Sequence, residues 1–346
     1  MDTSSPPTGR GGEEGREPQP GYFDRCSPYR IQIESSKECR VGCEYCYTLN
    51  SKTVRPMDSD EIRDVLRQAA EIGVRQVDWM GGDPLERDDW DDLMRYARFM
   101  GMINNLWTSG LNLAGPCVSK KVIDLTRGGF IVFHIDSLDP DILRGLRISF
   151  DETVLNEVLG GMETVLDAGK PPDLVINKLM VTSLHHGEDI RRTITYLRSR
   201  FNMNTSLMSL KPMGGAKGLL PCPDTVMEAF RLQDSSFPEP ALFSFQDCSK
   251  HYCGTTFFVD LEGGVSPFYS LRRSVGSVRD EPLRRIVEEN RESLFFSRLR
   301  DPDSIPRLCR SCRKGDRCWG CRANAYYFGE GFDSEDPLCF MEEESG

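Results

Sequence analysis

The sequence predicts an α/β fold, a parallel sheet covered by helices, followed by a smaller cysteine-rich region. Strand-like and helix-like segments alternate from about residue 28 to about residue 215, in roughly six β/α units with short connections. Most of the 13 cysteines fall into two tight groups, one directly after the first strand and one near the carboxy terminus. At 346 residues the chain can form one large domain or two ordinary ones. We favour an open or partial barrel over a doubly wound sheet, although periodicity alone does not decide between them.

The individual elements follow from periodicity and from start and stop signals. Residues 29–34 alternate apolar and polar side chains, as a half-buried strand does, and lead into the first cysteine group. The next helix has apolar residues at helical spacing and stops at Gly73. A later helix starts with a capping-box pattern, Ser149 with Glu152, and stops at Gly169. The further predicted strands span 74–82, 103–110, 129–137, 173–182 and 204–214, and the further helices lie around 93–99 and 189–201.

Composition and charge exclude several classes of protein. A net charge of −11 leaves no basic footprint for nucleic acid or for an anionic membrane. No apolar run approaches the length of a transmembrane helix. The first 22 residues are rich in Gly, Pro and Glu and resemble neither a signal peptide nor an anchor, so we predict a disordered tail over residues 1–27. The cysteine spacings are those of metal ligands rather than of a secreted disulfide scaffold, and we expect a cytoplasmic protein.

The first cysteine group, Cys39, Cys43 and Cys46, has the spacing C-x3-C-x2-C with Tyr45 before the last cysteine. It supplies three thiolates on one short loop, whereas a closed zinc site needs four ligands. An iron–sulfur cube held in this way keeps one iron without a protein ligand. A chance cluster or half of a zinc site is the alternative. Residues 34–48 resemble the signature of radical S-adenosylmethionine (SAM) enzymes, in which SAM fills that iron position and is cleaved to methionine and a 5′-deoxyadenosyl radical.

This resemblance implies the fold class and the domain organisation. The core of the family is a partial (β/α)6 TIM-like barrel, with the cluster loop after its first strand. We therefore expect the barrel over residues 28–218 and an auxiliary iron–sulfur domain over residues 219–346. The cofactors implied are a SAM-binding [4Fe–4S] cluster and SAM, and the protein is expected to be oxygen-sensitive. In parallel-strand enzymes the chemistry gathers at the carboxyl ends of the strands, where the cysteine loop and the segments discussed next lie.

Several residues resemble the SAM contacts of the family. Gly81, Gly82 and Asp83 belong to a GGDP segment that resembles the GGEP motif, which holds the SAM amino group; two glycines also let a backbone approach a ligand closely. Taken alone, GGDP is simply a good turn. Tyr45 corresponds to the aromatic residue that contacts SAM. Ser109 lies in a TSG segment that matches the family's TNG.

Two further SAM contacts depart from the pattern or have a strong alternative. His134 stands where a ribose-binding serine is usual, and a histidine can also hydrogen-bond a sugar hydroxyl. A satisfied core histidine is the alternative. Arg144 matches the arginine near the SAM carboxylate, with an ordinary surface arginine as the alternative. The sequence identifies no catalytic side chain.

The second cysteine group resembles the SPASM extension of radical SAM enzymes, which holds one or two auxiliary [4Fe–4S] clusters. A zinc ribbon is the alternative, since C-x2-C pairs bind zinc readily. The resemblance assigns one set of cysteines to an outer cluster and a second set to an inner one. At a further inner ligand position stands Phe268, so the inner cluster either has an open iron or is absent, and its cysteines could be buried thiols. The outer set is Cys309, Cys312, Cys318 and Cys339, the inner set is Cys248, Cys253 and Cys321, and Cys26, Cys117 and Cys222 are expected to be free.

The implied activity is hydrogen abstraction from a substrate C–H bond, with the auxiliary clusters supporting oxidative modification of a peptide or a small metabolite. A decarboxylase, dehydrogenase or epimerase of a tetrapyrrole, a sugar or an aminocyclitol is the alternative. From other classes, an iron–sulfur electron-transfer protein or a zinc-binding protein stays open. The expected partners are the substrate and an electron donor such as flavodoxin or ferredoxin.

Overall fold

A computed structural model describes residues 19–48, 55–148, 151–236 and 248–341 of the chain. Their core is a nine-stranded sheet with the order β6-β5-β4-β3-β2-β1-β7-β8-β9. Strands β1 to β6 are parallel and adjacent in chain order, as in a partial barrel, which confirms the predicted fold class. The strands are β1 Arg30–Ser36, β2 Gln76–Gly81, β3 Ile103–Trp107, β4 Ile131–Phe133, β5 Val175–Val181, β6 Asn204–Ser209, β7 Thr256–Val259, β8 Gly264–Ser266 and β9 Gly276–Ser277.

Helices connect and cover the strands. No helix within the described ranges is long and apolar enough to cross a membrane. The helix expected from Ser149 begins at Glu152, with Asp151 as its N-cap, and Ser149 itself lies outside the described residues. The helices are α1 Gln19–Asp24, α2 Ser59–Glu71, α3 Trp90–Phe99, α4 Pro116–Leu125, α5 Pro140–Leu146, α6 Glu152–Asp167, α7 Gly187–Phe201, α8 Pro223–Ser236, α9 Lys250–Cys253, α10 Leu283–Glu289, α11 Arg291–Phe295, α12 Arg307–Arg310 and α13 Arg322–Phe328.

A seventh parallel strand, β7, was not predicted. It pairs with β1 on the edge opposite β2, and the antiparallel strands β8 and β9 continue the sheet. The turn between β7 and β8 is built by Asp260, whose carboxylate accepts from the backbone N–H of Gly264, and by Gly263 at φ +88°. The sheet of the barrel therefore extends past residue 218 into the cysteine-rich region.

The prediction of a disordered tail is wrong for residues 19–27, because α1 is ordered by long-range contacts. Tyr22 and Phe23 are buried. The ring of Phe23 packs 4.8 Å from that of His251 and 5.3 Å from that of Trp319, and the guanidinium of Arg300 lies 4.5 Å from its centroid. These partners come from the far end of the chain, so local composition gave no sign of them. Residues 1–18 lie outside the described residues.

Alternation along the strands separates two apolar clusters. Ile31, Ile33 and Trp79 belong to the large core between the sheet and the helices. Trp107 and Phe258 belong to a second cluster on the inner face of the sheet. The inner face therefore carries an apolar cluster of its own.

A buried ion pair lies near the amino-terminal ends of β1 and β2. Arg30 Nη1 donates to Asp78 Oδ1 over 3.0 Å, and Asp78 also accepts from Asn105 Nδ2 at 2.7 Å and from Gln32 Nε2 at 3.3 Å. Burial of a charge pair is favourable only when its remaining hydrogen-bonding capacity is filled, which these amides do for Asp78. The pair lies at the end of the barrel opposite the cysteine loop, where removal of one partner would leave the other charge buried and unpaired.

Candidate active site

The first cysteine loop follows β1 and is pinned to the segment that ends α5. The backbone N–H of Glu44 donates to Leu146 O at 2.9 Å, and that of Ile148 donates to Gly42 O at 2.8 Å. Gly42 has φ +60°, a conformation that suits glycine, and lets the loop turn between Cys39 and Cys43. All three thiols of the group therefore stand on one loop at the carboxyl end of the first strand.

A buried network of charged and polar groups supports this loop. Arg147 donates to Cys43 Sγ and, through Nη2, to Asp136 Oδ2 at 3.3 Å. Tyr45 Oη donates to the same Asp136 oxygen at 2.5 Å, and the backbone N–H of Met180 donates to the other at 2.9 Å. Asp136 thus connects the cysteine loop to β4 and β5.

Burial and charge in this network have opposite effects on the thiol. Burial raises the pKa of Cys43 to about 12, and the guanidinium of Arg147 opposes this rise. Burial, followed by the charge of Asp136, raises the pKa of Tyr45 well above its ordinary value, so its hydroxyl stays a donor. Arg147 was missed by sequence reasoning, which selected Arg144 one turn earlier.

The end of β2 and the segment after β6 also contact the loop. Tyr47 Oη donates to Gly81 O at 3.2 Å, and the backbone N–H of Gly215 donates to Cys46 O at 3.2 Å. Gly214 has φ +54°, and a Cβ there would lie 2.3 Å from Cys46 O. This position therefore requires glycine, so that the chain after β6 can approach the last cysteine.

The two glycines of GGDP approach the chain's own backbone. A Cβ on Gly81 would lie 2.1 Å from Ser36 O, and one on Gly82 would lie 2.2 Å from Glu38 O. The backbone N–H groups of Gly82 and Asp83 donate to these same carbonyls, each at 2.6 Å. The pair therefore packs the end of β2 onto the segment leading into Cys39.

Asp83 connects GGDP to the TSG segment. Its fully buried carboxylate accepts from Thr108 Oγ1 at 2.9 Å, from Ser109 N at 3.0 Å and from Ser109 Oγ at 2.5 Å. It also accepts from Leu85 N at 3.0 Å. Burial raises the pKa of Asp83, and these hydrogen bonds act in the opposite direction. The structure thus brings Gly81, Gly82, Asp83 and Ser109 together beside the cysteine loop.

The remaining two SAM-contact candidates lie in different surroundings. The ring of His134 lies 5.9 Å from that of Trp107, on the inner side of the sheet. Burial lowers the pKa of His134 to about 4, so the ring is neutral at pH 7. Arg144 is not brought to the loop: its exposed side chain pairs with Asp141, because the buried face of α5 is formed by other residues of the helix.

The second cysteine group places four thiols near one another. Cys309 is close enough to Cys318 and Cys339 for their charges to affect its pKa, and Cys339 is affected in the same way by Cys312 and Cys318. Burial raises the pKa of Cys309 to about 12 and that of Cys339 to about 11. Backbone N–H groups of Lys314 and Gly320 point at the sulfurs of Cys312 and Cys318, at 3.4 and 3.1 Å.

The other three cysteines lie in a neighbouring apolar cluster. Cys248 hydrogen-bonds the thiols of Cys318 and Cys321, so it joins the two predicted sets. Cys253 and Cys321 are buried in the same cluster as Phe268, which is fully buried. Cys26 is half-buried and Cys117 and Cys222 are exposed, each without a disulfide. Across the described ranges, no three His, Cys, Asp or Glu side chains are grouped as ligands of a single metal ion.

Comparison with known proteins identifies one domain of the chain. Residues 33–198, from β1 into α7, match the sequence profile of the radical SAM superfamily. The chain contains a radical SAM domain. The predicted class, a radical SAM enzyme that uses a [4Fe–4S] cluster and SAM, is confirmed.

The likeness to solved structures extends beyond the radical SAM domain. Streptococcus suis SuiB bound to S-adenosylmethionine is 15% identical with a TM-score of 0.64, covering 91% of this chain and 78% of that chain. The structure of native anSMEcpe with bound AdoMet and Cp18Cys peptide is 16% identical with a TM-score of 0.65, covering 90% and 94%. SuiB bound to its precursor peptide SuiA is 14% identical with a TM-score of 0.62, covering 93% and 79%. At these identities the likeness shows the fold.

Proposed function

We propose that Cys39, Cys43 and Cys46 hold the [4Fe–4S] cluster, that SAM binds its remaining iron, and that the enzyme oxidatively modifies a peptide. The single observation that carries this proposal is the cysteine loop. Its three thiols stand at the carboxyl end of β1, and segments following β2, β6 and α5 hold it in place. A set of three protein thiolates leaves one iron open, which a SAM-binding cluster needs.

The donor set of this chain fits such a cluster. When bound, the cluster and SAM together supply an adenosyl radical that removes a hydrogen atom from a substrate C–H bond. Arg147 places a positive charge against Cys43 Sγ and so favours its thiolate form. Tyr45 and Asp136 hold Arg147 and the loop in position, and the apolar cluster of Trp107 and Phe258 lines the inner face of the sheet.

We place the SAM molecule on the rim formed by Gly81, Gly82, Asp83 and Ser109, beside Tyr45. His134, neutral at pH 7, lies on the inner side of the same rim, where its ring nitrogens can hydrogen-bond a sugar hydroxyl. Because the Asp83 carboxylate is already occupied by Thr108, Ser109 and Leu85, its part is to hold this rim in shape. Arg144 points away and is left out of the proposed SAM site.

The proximity of their thiols supports Cys309, Cys312, Cys318 and Cys339 as the ligands of an outer auxiliary cluster. For an inner cluster we propose Cys248, Cys253 and Cys321, with Phe268 leaving one iron without a protein ligand. A peptide substrate is supported by the likeness to SuiB and anSMEcpe, whose structures contain peptides. We expect a flavodoxin or a ferredoxin to deliver the electron.

Anaerobic reconstitution tests the proposal. We expect Cys43→Ala to abolish the conversion of SAM to methionine and 5′-deoxyadenosine, measured by mass spectrometry, and to lower the iron and sulfide content. Cys117→Ala is the matched control, since this exposed cysteine belongs to neither group. Cleavage retained in Cys43→Ala would contradict the ligand assignment. Zinc without sulfide in the wild-type protein would contradict the cluster itself.

The modification is then read from the mass of the product. Oxidation of a peptide by dehydrogenation or cross-linking removes two hydrogen atoms, whereas decarboxylation removes carbon dioxide. Full-chain enzyme is incubated anaerobically with SAM, a reductant and separate peptide, porphyrin and aminosugar pools. Loss of two hydrogens from a peptide is the expected result, and a product confined to the porphyrin or aminosugar pool would overturn the peptide assignment.

A further inference from the structure

The inner face of the sheet forms an aromatic surface beside the cysteine loop. Trp107 and Tyr269 pack with their ring centroids 5.6 Å apart, and Tyr269 Oη contacts Met208 Sδ at 3.4 Å. Phe258 belongs to the same cluster, and Tyr47, the residue after Cys46, packs against it. A substrate that reaches the cluster loop from inside the barrel would meet this surface.

Arg272 lies on this surface with part of its hydrogen-bonding capacity unused. Its guanidinium carbon is 4.1 Å from the ring centroid of Tyr47 and 4.7 Å from that of Phe258. Nη1 donates to Glu34 Oε2 at 3.3 Å, and Nε donates to Tyr269 O at 3.3 Å. Nη2 is buried and, among the described residues, has no hydrogen-bond partner.

A buried donor without an acceptor raises the free energy of the folded state, and a ligand that supplies the acceptor removes this cost. The guanidinium is planar and contacts two aromatic rings, which restrict the direction of its N–H groups before a ligand arrives. Glu34 accepts a hydrogen bond from Arg272 Nη1 and a second one from Leu261 N at 3.2 Å, so it does not serve Nη2. The free edge of Arg272 therefore suits a planar anionic acceptor such as a carboxylate.

Lys178 adds a second positive charge to the same surface. It lies on β5 between Ile176 and Met180, whose side chains belong to or pack against the inner cluster, and it is fully buried. Its Nζ donates to Ser206 Oγ at 2.8 Å and lies 5.8 Å from the ring centroid of Trp107. Lys178 therefore places a second cationic side chain on the same surface as Arg272.

We propose, building on the function given above, that this surface binds the substrate through a carboxylate, which accepts a hydrogen bond from Arg272 Nη2. The aromatic side chains of Trp107 and Tyr269 contact the apolar part of the substrate. The substrate class is thus a carboxylate-bearing molecule with an apolar body. A peptide carboxylate and a porphyrin propionate share this chemistry.

Calorimetric titration of the reconstituted full chain with 3-phenylpropionate and with 3-phenylpropanamide tests the proposal, because these probes differ only in charge and hydrogen-bonding character. We expect the carboxylate to bind about tenfold more tightly than the amide to the wild-type protein. The preference should disappear in Arg272→Gln and persist in Arg273→Gln, whose side chain is exposed and lies 5.4 Å from the ring centroid of Phe332. Equal affinities in the wild type, including no binding of either probe, or a preference that survives Arg272→Gln, would overturn it.

Two further measurements keep the result interpretable. Arg272→Gln leaves Glu34 without its cation, so Glu34→Gln/Arg272→Gln provides a variant without an unpaired buried charge and should also lose the preference. SAM cleavage is measured on the same wild-type preparation. Cleavage without a carboxylate preference overturns this inference alone, and a preference without cleavage overturns the proposed radical SAM function alone.

The source of the carboxylate is resolved with larger ligands. A peptide with a free carboxyl terminus is compared with its amidated form, and coproporphyrin III with its tetramethyl ester. Tighter binding of the free acid in the peptide pair assigns the site to a peptide, and in the porphyrin pair to a propionate. A preference for the acid in neither pair would overturn the assignment of this surface to the substrate.

Discussion

Asp83→Glu turns GGDP into the GGEP of the family motif, yet the structure predicts that it destabilises the protein. The Asp83 carboxylate is fully buried and accepts from Thr108, Ser109 and Leu85. One added methylene displaces the carboxylate by about 1.5 Å, half the length of these hydrogen bonds. Forcing a methylene into a packed site costs about 1–3 kcal/mol, and each buried donor that loses its acceptor costs about 1–3 kcal/mol more. With one donor lost, we therefore expect the free energy of unfolding to fall by about 2–6 kcal/mol.

The measurement is anaerobic urea unfolding of the full chain, followed by far-ultraviolet circular dichroism. Asp60→Glu is the matched control, because the Asp60 side chain is 93% exposed in the first turn of α2 and the same added methylene meets no packed surface. SAM cleavage should fall together with stability, since Asp83 holds Ser109 beside the cysteine loop. If Asp83→Glu were as stable as the wild-type protein, the hydrogen bonds that join GGDP to TSG would not depend on the position of this carboxylate, and the reasoning would be refuted.

Three further changes probe other parts of the molecule. Asp78→Asn should lower the free energy of unfolding by about 3–5 kcal/mol, because it leaves Arg30 buried without its carboxylate. The double variant Arg30→Met/Asp78→Leu removes both charges and should lie within about 1–2 kcal/mol of the wild type. A cost of Asp78→Asn under about 1 kcal/mol in urea unfolding would contradict this expectation. Burial lowers the pKa of Lys170 to about 8, below its value in the unfolded chain. Between these two pKa values the unfolded chain binds more protons than the folded protein. The free energy of unfolding therefore rises with pH through this window. Between pH 7.5 and pH 10, the free energy of unfolding of the wild type should rise by up to about 3 kcal/mol relative to that of Lys170→Met. If the difference between the two proteins did not change with pH, the lowered pKa would be contradicted. Phe268→Cys should raise the iron content of reconstituted protein, because a fourth thiol completes the inner set, although loss of the ring costs about 3 kcal/mol; unchanged iron would contradict that set.

The parallel core was predictable because its signals are local. Each of β1 to β6 is an apolar segment followed by a turn and a helix, and consecutive strands of this kind pair in chain order. Gly73, with φ +95°, follows α2 as predicted. The spacing of Cys39, Cys43 and Cys46 was equally local, because three ligands on one loop need no knowledge of the tertiary fold.

What the sequence did not reveal depends on contacts between distant segments. Strand β7 is only four residues long, and its place beside β1 is decided by tertiary pairing. The selection of Arg144 over Arg147 illustrates the same limit, since both follow Pro140 within one short helical segment. Only the end of α5 at Leu146 turns Arg147 inward, where it meets Cys43 and Asp136.

The cysteine loop is held by contacts from several strands, and this has a consequence for the chemistry. Cys43 is oriented through Arg147 and Asp136, which follows β4, and Cys46 is approached by Gly215, which follows β6. Because a thiolate set binds a metal cluster well only when its geometry is fixed, these outer contacts are part of the site. A substitution at Asp136 would therefore disturb the loop although Asp136 itself is not a proposed ligand. The same carboxylate also accepts from Tyr45, so movement of the proposed SAM contact and movement of Cys43 are coupled through one side chain.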